Sequence, residues 1–221
     1  MKYFLFPGAG SFGTEFRALT ETLAPDAQLV RYPGRFGRDF GKSAGSFADL
    51  VRSCADQVRH SDSAILVGHS FGAYLAYAVA AQPDTSVAAV AVAGANAPGL
   101  AEVPPEVTSD RRALAAYLGP DLAGSGDWTD VVLDTATQDL RLLREFVPAE
   151  YPPLDCPVHA AHGETDPLTS LPGVHAWQHV TSGQVSVRTF GGGHSELLRT
   201  TAFATWLREK TASAQPLPEG V

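Results

Sequence analysis

A serine becomes a useful nucleophile when the backbone lifts its hydroxyl clear of a turn and a base accepts its proton. Gly68-His69-Ser70-Phe71-Gly72 has the G-x-S-x-G pattern of such a turn. It joins a short apolar run, Ala64 to Gly68, to an alanine-rich helical segment, Phe71 to Ala81. A nucleophile elbow needs this strand–turn–helix context, with glycine two before and two after the serine so that nothing clashes across the turn. Ser70 is then expected to project from the strand end. The Phe71 amide, at the helix start, would face the developing oxyanion.

The acid and the base are expected later in the chain, in that order. The strand after the elbow is followed by no acid before Glu102, which lies too far past its end. The segment HAAHGETDPL carries Glu164 and Asp166 in one loop. Asp166, in a turn bracketed by Gly163 and Pro167, is the preferred acid, with Glu164 as the alternative. RTFGGGHSELL puts His194 behind three glycines at the next strand end. Ser70, Asp166 and His194 thus fall on the carboxyl edge of a sheet, where α/β folds build their sites. His69 flanks the nucleophile and is read as a packing or hydrogen-bonding residue. His60, His159, His162, His175 and His179 are read as structural. No metal site is expected, because the i,i+4 pair His175 and His179 has no accompanying acid or cysteine.

The opening segment FLFPGAGSFG also fits G-x-G-x-x-G, through Gly8, Gly10 and Gly13. A dinucleotide cradle would need an acid at the end of the second strand, which instead reads Arg31-Tyr32-Pro33. Arg35 could meet a 2′-phosphate, so an NAD(P)-binding protein stays as a remote alternative. In a serine hydrolase the loop after the first strand has another use, as the source of the second oxyanion amide. Ala9 is the assigned donor, with Gly10 next.

These residues need a scaffold of buried strands. Lys2–Phe6, Gln28–Tyr32, Ala64–Gly68, Val87–Gly94, Pro157–Gly163 and Gln184–Phe190 read as strands. Helical apolar spacing covers Phe12–Leu23, Ser46–Arg59 (Ser46 as N-cap), Phe71–Ala81, Gly173–His179 and Ser195–Glu209. Near-continuous apolar strands alternating with helices predict a mostly parallel sheet with helices on both faces. The core is assigned to residues 1–97 and 154–210. Residues 98–153, rich in proline and glycine with helical patches at Arg111–Leu118 and Trp128–Phe146, read as a helical lid insertion. Residues 211–221 read as a disordered tail.

A net charge of −8 argues against nucleic-acid binding. The apolar opening run is too short for a signal sequence or membrane span, and no later run reaches spanning length. Cys54 and Cys156 make no disulfide framework and read as packing residues. A cytoplasmic protein is expected.

The motifs FPGAGS, YPGR, GHSFGA, LDCPV, G-x-x-D-P and GGGH occur in that order. Together they resemble the discrete type II thioesterases that accompany polyketide and nonribosomal peptide synthases, up to about Trp206. The resemblance implies an α/β-hydrolase fold and, without a cofactor, removal of stalled acyl groups from the phosphopantetheine arm of acyl or peptidyl carrier proteins. It carries the catalytic roles onto Ser70, Asp166 and His194. The chain departs from the family in its aromatic YPGRFGRDFG and its short insertion. Docking to an acidic carrier would need local basic surface; Arg35 and Arg38 are the first candidates, then Arg111 with Arg112 and Arg141 with Arg144. A small-molecule carboxylesterase or lipase with the same triad is the runner-up. A non-catalytic binding scaffold is a further alternative.

Overall fold

The computed structural model describes residues 1–122 and 125–212, except the side chains of residues 120 and 121. Six strands form one sheet: β1 (Lys2–Phe6), β2 (Ala27–Leu29), β3 (Ala64–His69), β4 (Val87–Ala93), β5 (Val158–Gly163) and β6 (Val185–Phe190). Their spatial order is β2-β1-β3-β4-β5-β6, and every neighbouring pair is parallel. β3 and β5 are buried along their whole length, which is why they read as apolar runs without alternation.

Strand side chains point alternately to two apolar layers. Phe4, Phe6 and Leu66 face the layer built with α2 (Phe47–Val58), α3 (Phe71–Ala80) and α6 (Leu171–His175). Tyr3, Leu5, Ile65 and Val67 face α1 (Arg17–Leu23) and α7 (Thr201–Ala212). Ser46 caps α2 as expected, its hydroxyl accepting from the Asp49 amide at 3.1 Å.

Between β4 and β5 the chain carries α4 (Arg111–Leu118) and α5 (Thr129–Leu143), in the stretch read from the sequence as an insertion. Leu114, Leu133, Leu140 and Leu143 join the same apolar cluster as α2 and α3. Phe146 lies 5.1 Å from the Phe47 ring and 5.8 Å from that of Tyr74. α5 is therefore tied into the core by its C-terminal half.

Several boundaries differ from the periodic pattern, among them the helix expected over Gly173–His179, which is α-helical over Leu171–His175 and 3₁₀ over Ala176–Val180. The helix expected over Phe12–Leu23 is an α-helix only from Arg17, because Gly13 takes a left-handed φ of 90° and a 3₁₀ turn follows at Thr14–Phe16. The second strand stops at Leu29 rather than Tyr32; the Tyr32 hydroxyl turns in to donate to the Pro7 carbonyl at 2.9 Å. The last helix begins at Thr201, after a 3₁₀ turn at Glu196–Arg199, and runs on to Ala212. That last finding moves the start of the expected tail. Thr211 is fully buried and its hydroxyl pairs with Tyr3 Oη at 2.8 Å, so residues 211 and 212 belong to the core unit. The rest of the expected tail, 213–221, lies outside the described residues.

Candidate active site

The strand order turns back on itself between β1 and β3: the chain leaves β1 for one edge, then returns to its other side. Such a switch point opens a crevice at the carboxyl ends of the two strands. Here it brings the end of β1, with Pro7–Ser11, against the end of β3, with Ser70. Their register runs through to Phe6 opposite Gly68.

Ser70 follows β3 directly and has φ 51° and ψ −120°, the one non-glycine residue with positive φ among the described residues. Such a conformation costs about 1–3 kcal/mol and persists only where surroundings enforce it. The surroundings are visible. A Cβ on Gly68 would lie 2.4 Å from the Gly72 carbonyl, and one on Gly72 would lie 2.0 Å from the Phe6 carbonyl. The Ser70 amide donates to the Ala93 carbonyl at 2.9 Å. Phe71 is the first residue of α3, so its amide has no partner within the helix.

Asp166 follows β5. Its side chain is fully buried and accepts from the Leu168 amide at 2.9 Å and the Thr169 hydroxyl at 2.8 Å. His194 follows β6 and its Nδ1 lies 3.0 Å from both Asp166 oxygens. Burial pushes the Asp166 carboxyl up, but the His194 bond and charge, with Leu168 and Thr169, hold it below the usual carboxylate range. The His194 ring lies over the end of β4, where a Cβ on Gly94 would meet it at 3.1 Å. Glu164, the alternative acid, is exposed and forms no hydrogen bond or ion pair with His194.

His69 is buried beside this pair. Its ring lies 4.9 Å from the His194 ring, and its Nε2 donates to the His194 carbonyl at 3.1 Å. Its Nδ1 faces Glu15 Oε1 at 3.6 Å. Glu15 is buried as well; burial raises its pKa, but His69, Ser11 and the Gly8 amide bring it below its ordinary value.

Two buried carboxylates occupy the loop after β1. The Gly8 amide donates to Glu15 Oε1 at 3.0 Å and the Gly10 amide to Asp139 Oδ2 at 2.7 Å. Among the described residues the Ala9 amide has no hydrogen-bond partner. The second choice for an oxyanion donor, Gly10, is therefore overturned: its N–H is already committed to Asp139. The remote nucleotide-cradle alternative loses its donors for the same reason. A diphosphate at this loop would meet two carboxylates where it needs free amides.

Arg35 is also corrected. It does not lie on a docking surface: its side chain is only 3% exposed, donating to the Asp139 carboxylate and to the Ser11 carbonyl. Arg38 is exposed. Of the other arginines, Arg111 is held by Asp130 and Asp134 (2.5 and 2.6 Å), while Arg141 and Arg144 reach Thr108. Both cysteines are free; burial pushes both thiols up, Cys156 to about 11, which leaves neither as a ready nucleophile.

Glu15 and Asp139 were not anticipated from the sequence. The signal for Asp139 was present: it lies between Ala136 and Leu140 on the face of α5 that supplies Leu133 and Leu143 to the core. A charge at a core position demands a buried partner.

A family description, the thioesterase domain, matches residues 2–211. A probable cadicidin biosynthesis thioesterase of Streptomyces griseus is 26% identical over 86% of this chain, and thioesterase PikA5 of Streptomyces venezuelae 28% over 85%. The chain spans 56% of the length of the first and 72% of the second. Among solved structures, the type II thioesterase BorB of the borrelidin biosynthetic cluster superposes with a TM-score of 0.83 at 26% identity, covering 94% of this chain and 91% of that one. RedJ, a thioesterase of the prodiginine pathway in Streptomyces coelicolor, gives 0.79 at 28% identity, covering 97% and 90%. The sheet matches the α/β-hydrolase architecture of these neighbours, and the chain belongs to the thioesterase family.

Proposed function

We propose that this chain hydrolyses acyl thioesters carried on the phosphopantetheine arm of acyl or peptidyl carrier proteins, clearing stalled groups in polyketide or nonribosomal peptide synthesis. The reading is carried by Ser70, strained on its elbow after β3, together with a His194 after β6 that is bonded to a buried Asp166.

In this reading His194 takes the Ser70 proton as the oxygen attacks the thioester carbonyl. Asp166 holds the imidazole with Nδ1 protonated, leaving Nε2 as the base, and stabilises the imidazolium that forms. The Phe71 and Ala9 amides receive the oxyanion. The pantetheine sulfur leaves and receives the proton that His194 holds; His194, neutral again, then takes a proton from the water that attacks the acyl-Ser70 carbonyl, and returns it to the Ser70 oxygen as the carboxylic acid departs. A thiolate is a good leaving group, so the chemistry asks little of general acid catalysis.

For carrier docking, Arg38 keeps its place as a candidate and Arg31 joins it. Both are exposed; Arg31 lies over the Phe36 ring at 5.9 Å and Arg38 stands in the chain between Phe36 and Phe40, members of a group of aromatic rings with Phe12 and Trp128, of which Phe36, Phe40 and Trp128 are 44–59% exposed. Exposed rings with flanking arginines suit the acidic helix of a carrier protein. The free cysteines support a reducing, cytoplasmic setting.

The test compares hydrolysis of an acyl-pantetheine thioester with that of the matched oxygen ester, alongside fluorophosphonate labelling of Ser70. Faster thioester turnover and labelling that vanishes in Ser70→Ala are expected. A clear preference for the oxygen ester would give the site to a carboxylesterase. Absence of labelling would leave a binding scaffold.

A further inference from the structure

The oxyanion loop and the insertion meet at one buried point. Arg35, from the loop after β2, donates to both the Ser11 carbonyl and the Asp139 carboxylate. Asp139, on α5, accepts the Gly10 amide at 2.7 Å through the same oxygen. α5 also rests on the loop directly: a Cβ on Gly10 would lie 2.8 Å from both the Val132 carbonyl and the Ala136 methyl. On the other side Glu15, at the start of the segment leading into α1, takes the Gly8 amide. The residue between the two anchored amides is Ala9. The Ala9 N–H shares a peptide plane with the Gly8 carbonyl, which accepts the Ser11 amide at 3.1 Å, so the direction of that N–H follows from how the loop is held on both sides.

We infer that the Arg35–Asp139 pair makes α5 a positioning element for the Ala9 amide, so that turnover depends on how the insertion sits over the loop. The inference rests on the thioesterase reading above. Neither residue touches the substrate in this account; both act through the loop. An ordinary stabilising ion pair would not have to share its carboxylate oxygen with the backbone of the loop that faces the nucleophile. A displaced oxyanion donor weakens binding of the transition state more than that of the ground state. Loss of the pair should therefore appear in kcat and spare KM.

The experiment uses the double variant Arg35→Met/Asp139→Leu, which removes both charges together and leaves neither one buried alone. Arg35→Lys is the conservative companion: it keeps a charge for Asp139 but lacks the planar fork that reaches the Ser11 carbonyl at the same time. Each is assayed with hexanoyl-pantetheine, with circular dichroism to report the folded fraction. Affinity for an alkyl trifluoromethyl ketone, whose serine adduct places an oxyanion in the site, is measured in parallel. The double variant is expected to fold, to lose about tenfold or more in kcat with KM within about twofold, and to lose ketone affinity in step. Arg35→Lys is expected to fall between it and the parent. A folded double variant with parental kcat and ketone affinity overturns the inference. So does a kcat that falls only as the folded fraction falls. Should the double variant not fold, Arg35→Lys decides alone: unchanged kcat overturns the inference, lowered kcat at unchanged KM supports it. A parent chain with no thioester turnover would remove the underlying reading first. A parent that turns over beside an equally active double variant removes only this one.

Discussion

Two halves of the same crevice are built in opposite ways. Ser70 stands directly after β3, and Asp166 and His194 lie in the loops that follow β5 and β6; each is held by groups close to it in the chain or on the adjacent strand end. The Pro7–Ser11 loop is held by side chains from afar: Arg35 after β2, Asp139 on α5, and Glu15 beyond the loop itself. The first half joins a glycine-permitted turn at Ser70 to one buried pair, Asp166 and His194, that is tied to its own turn. The second is made of buried charge. The turn at Ser70 tolerates change around it, because the bond that holds it runs from the Ser70 amide to the end of β4. Charge-built features fail when any one member is lost, because the partner is left buried and unpaired.

The largest expected effect lies in the first half. Ser70→Ala should lower kcat by about 10⁴-fold or more with the fold intact, since catalysis by triad members fails as a unit. Single-turnover acylation followed by intact-protein mass spectrometry reads this directly. An active Ser70→Ala would end the covalent mechanism.

Asp166→Asn comes next, with a loss on the order of 10⁴-fold from an imidazole held in the wrong tautomer. Glu164→Gln, at an exposed residue that forms no bond with His194, should stay within about twofold. Reversed severities would exchange the two acids and undo the geometric assignment.

The second half should give smaller kinetic effects and larger pH effects. Glu15→Gln keeps the shape but loses the charge facing His69 and the Gly8 amide; a fall in kcat of about tenfold is expected. The same variant tests linkage. Glu15 and Asp166 both have folded pKa values below their ordinary ones. Their contribution to stability is therefore present above the unfolded value of about 4 and is lost as pH falls through the lowered folded values. Urea midpoints from pH 7 to about pH 3 should fall less steeply in Glu15→Gln than in the parent chain. An identical slope would mean that the charge of Glu15 contributes nothing to stability across that range.

Tyr3→Phe is the smallest change and belongs to neither half. It removes the bond to Thr211 and should cost about 0.5–1.5 kcal/mol of stability with kcat unaffected. A loss of activity here would mean that the packing of α7 reaches the crevice.

Much of this was legible in the chain itself. The six strands, the strained turn at Ser70 and the loops that carry Asp166 and His194 after β5 and β6 follow from local rules: apolar run length, glycine where a turn forbids Cβ, and loops that must fall at strand ends. Even the cap at Ser46 follows from its side chain and the residues after it. Strand order does not follow from such rules. Whether β1 lies beside β3 depends on which helices cover which face, and that adjacency alone brings Pro7–Ser11 to Ser70. The same holds for Arg35. In sequence it is one of several arginines and reads as surface, because a charge is exposed unless a partner is buried with it. Its partner, Asp139, stands in another segment of the chain, and only tertiary packing brings the two together. Local chemistry thus determined which residues are able to react. The long-range burial of a few charges decided which backbone N–H of the Pro7–Ser11 loop is left without a partner, the one proposed above to meet the oxyanion.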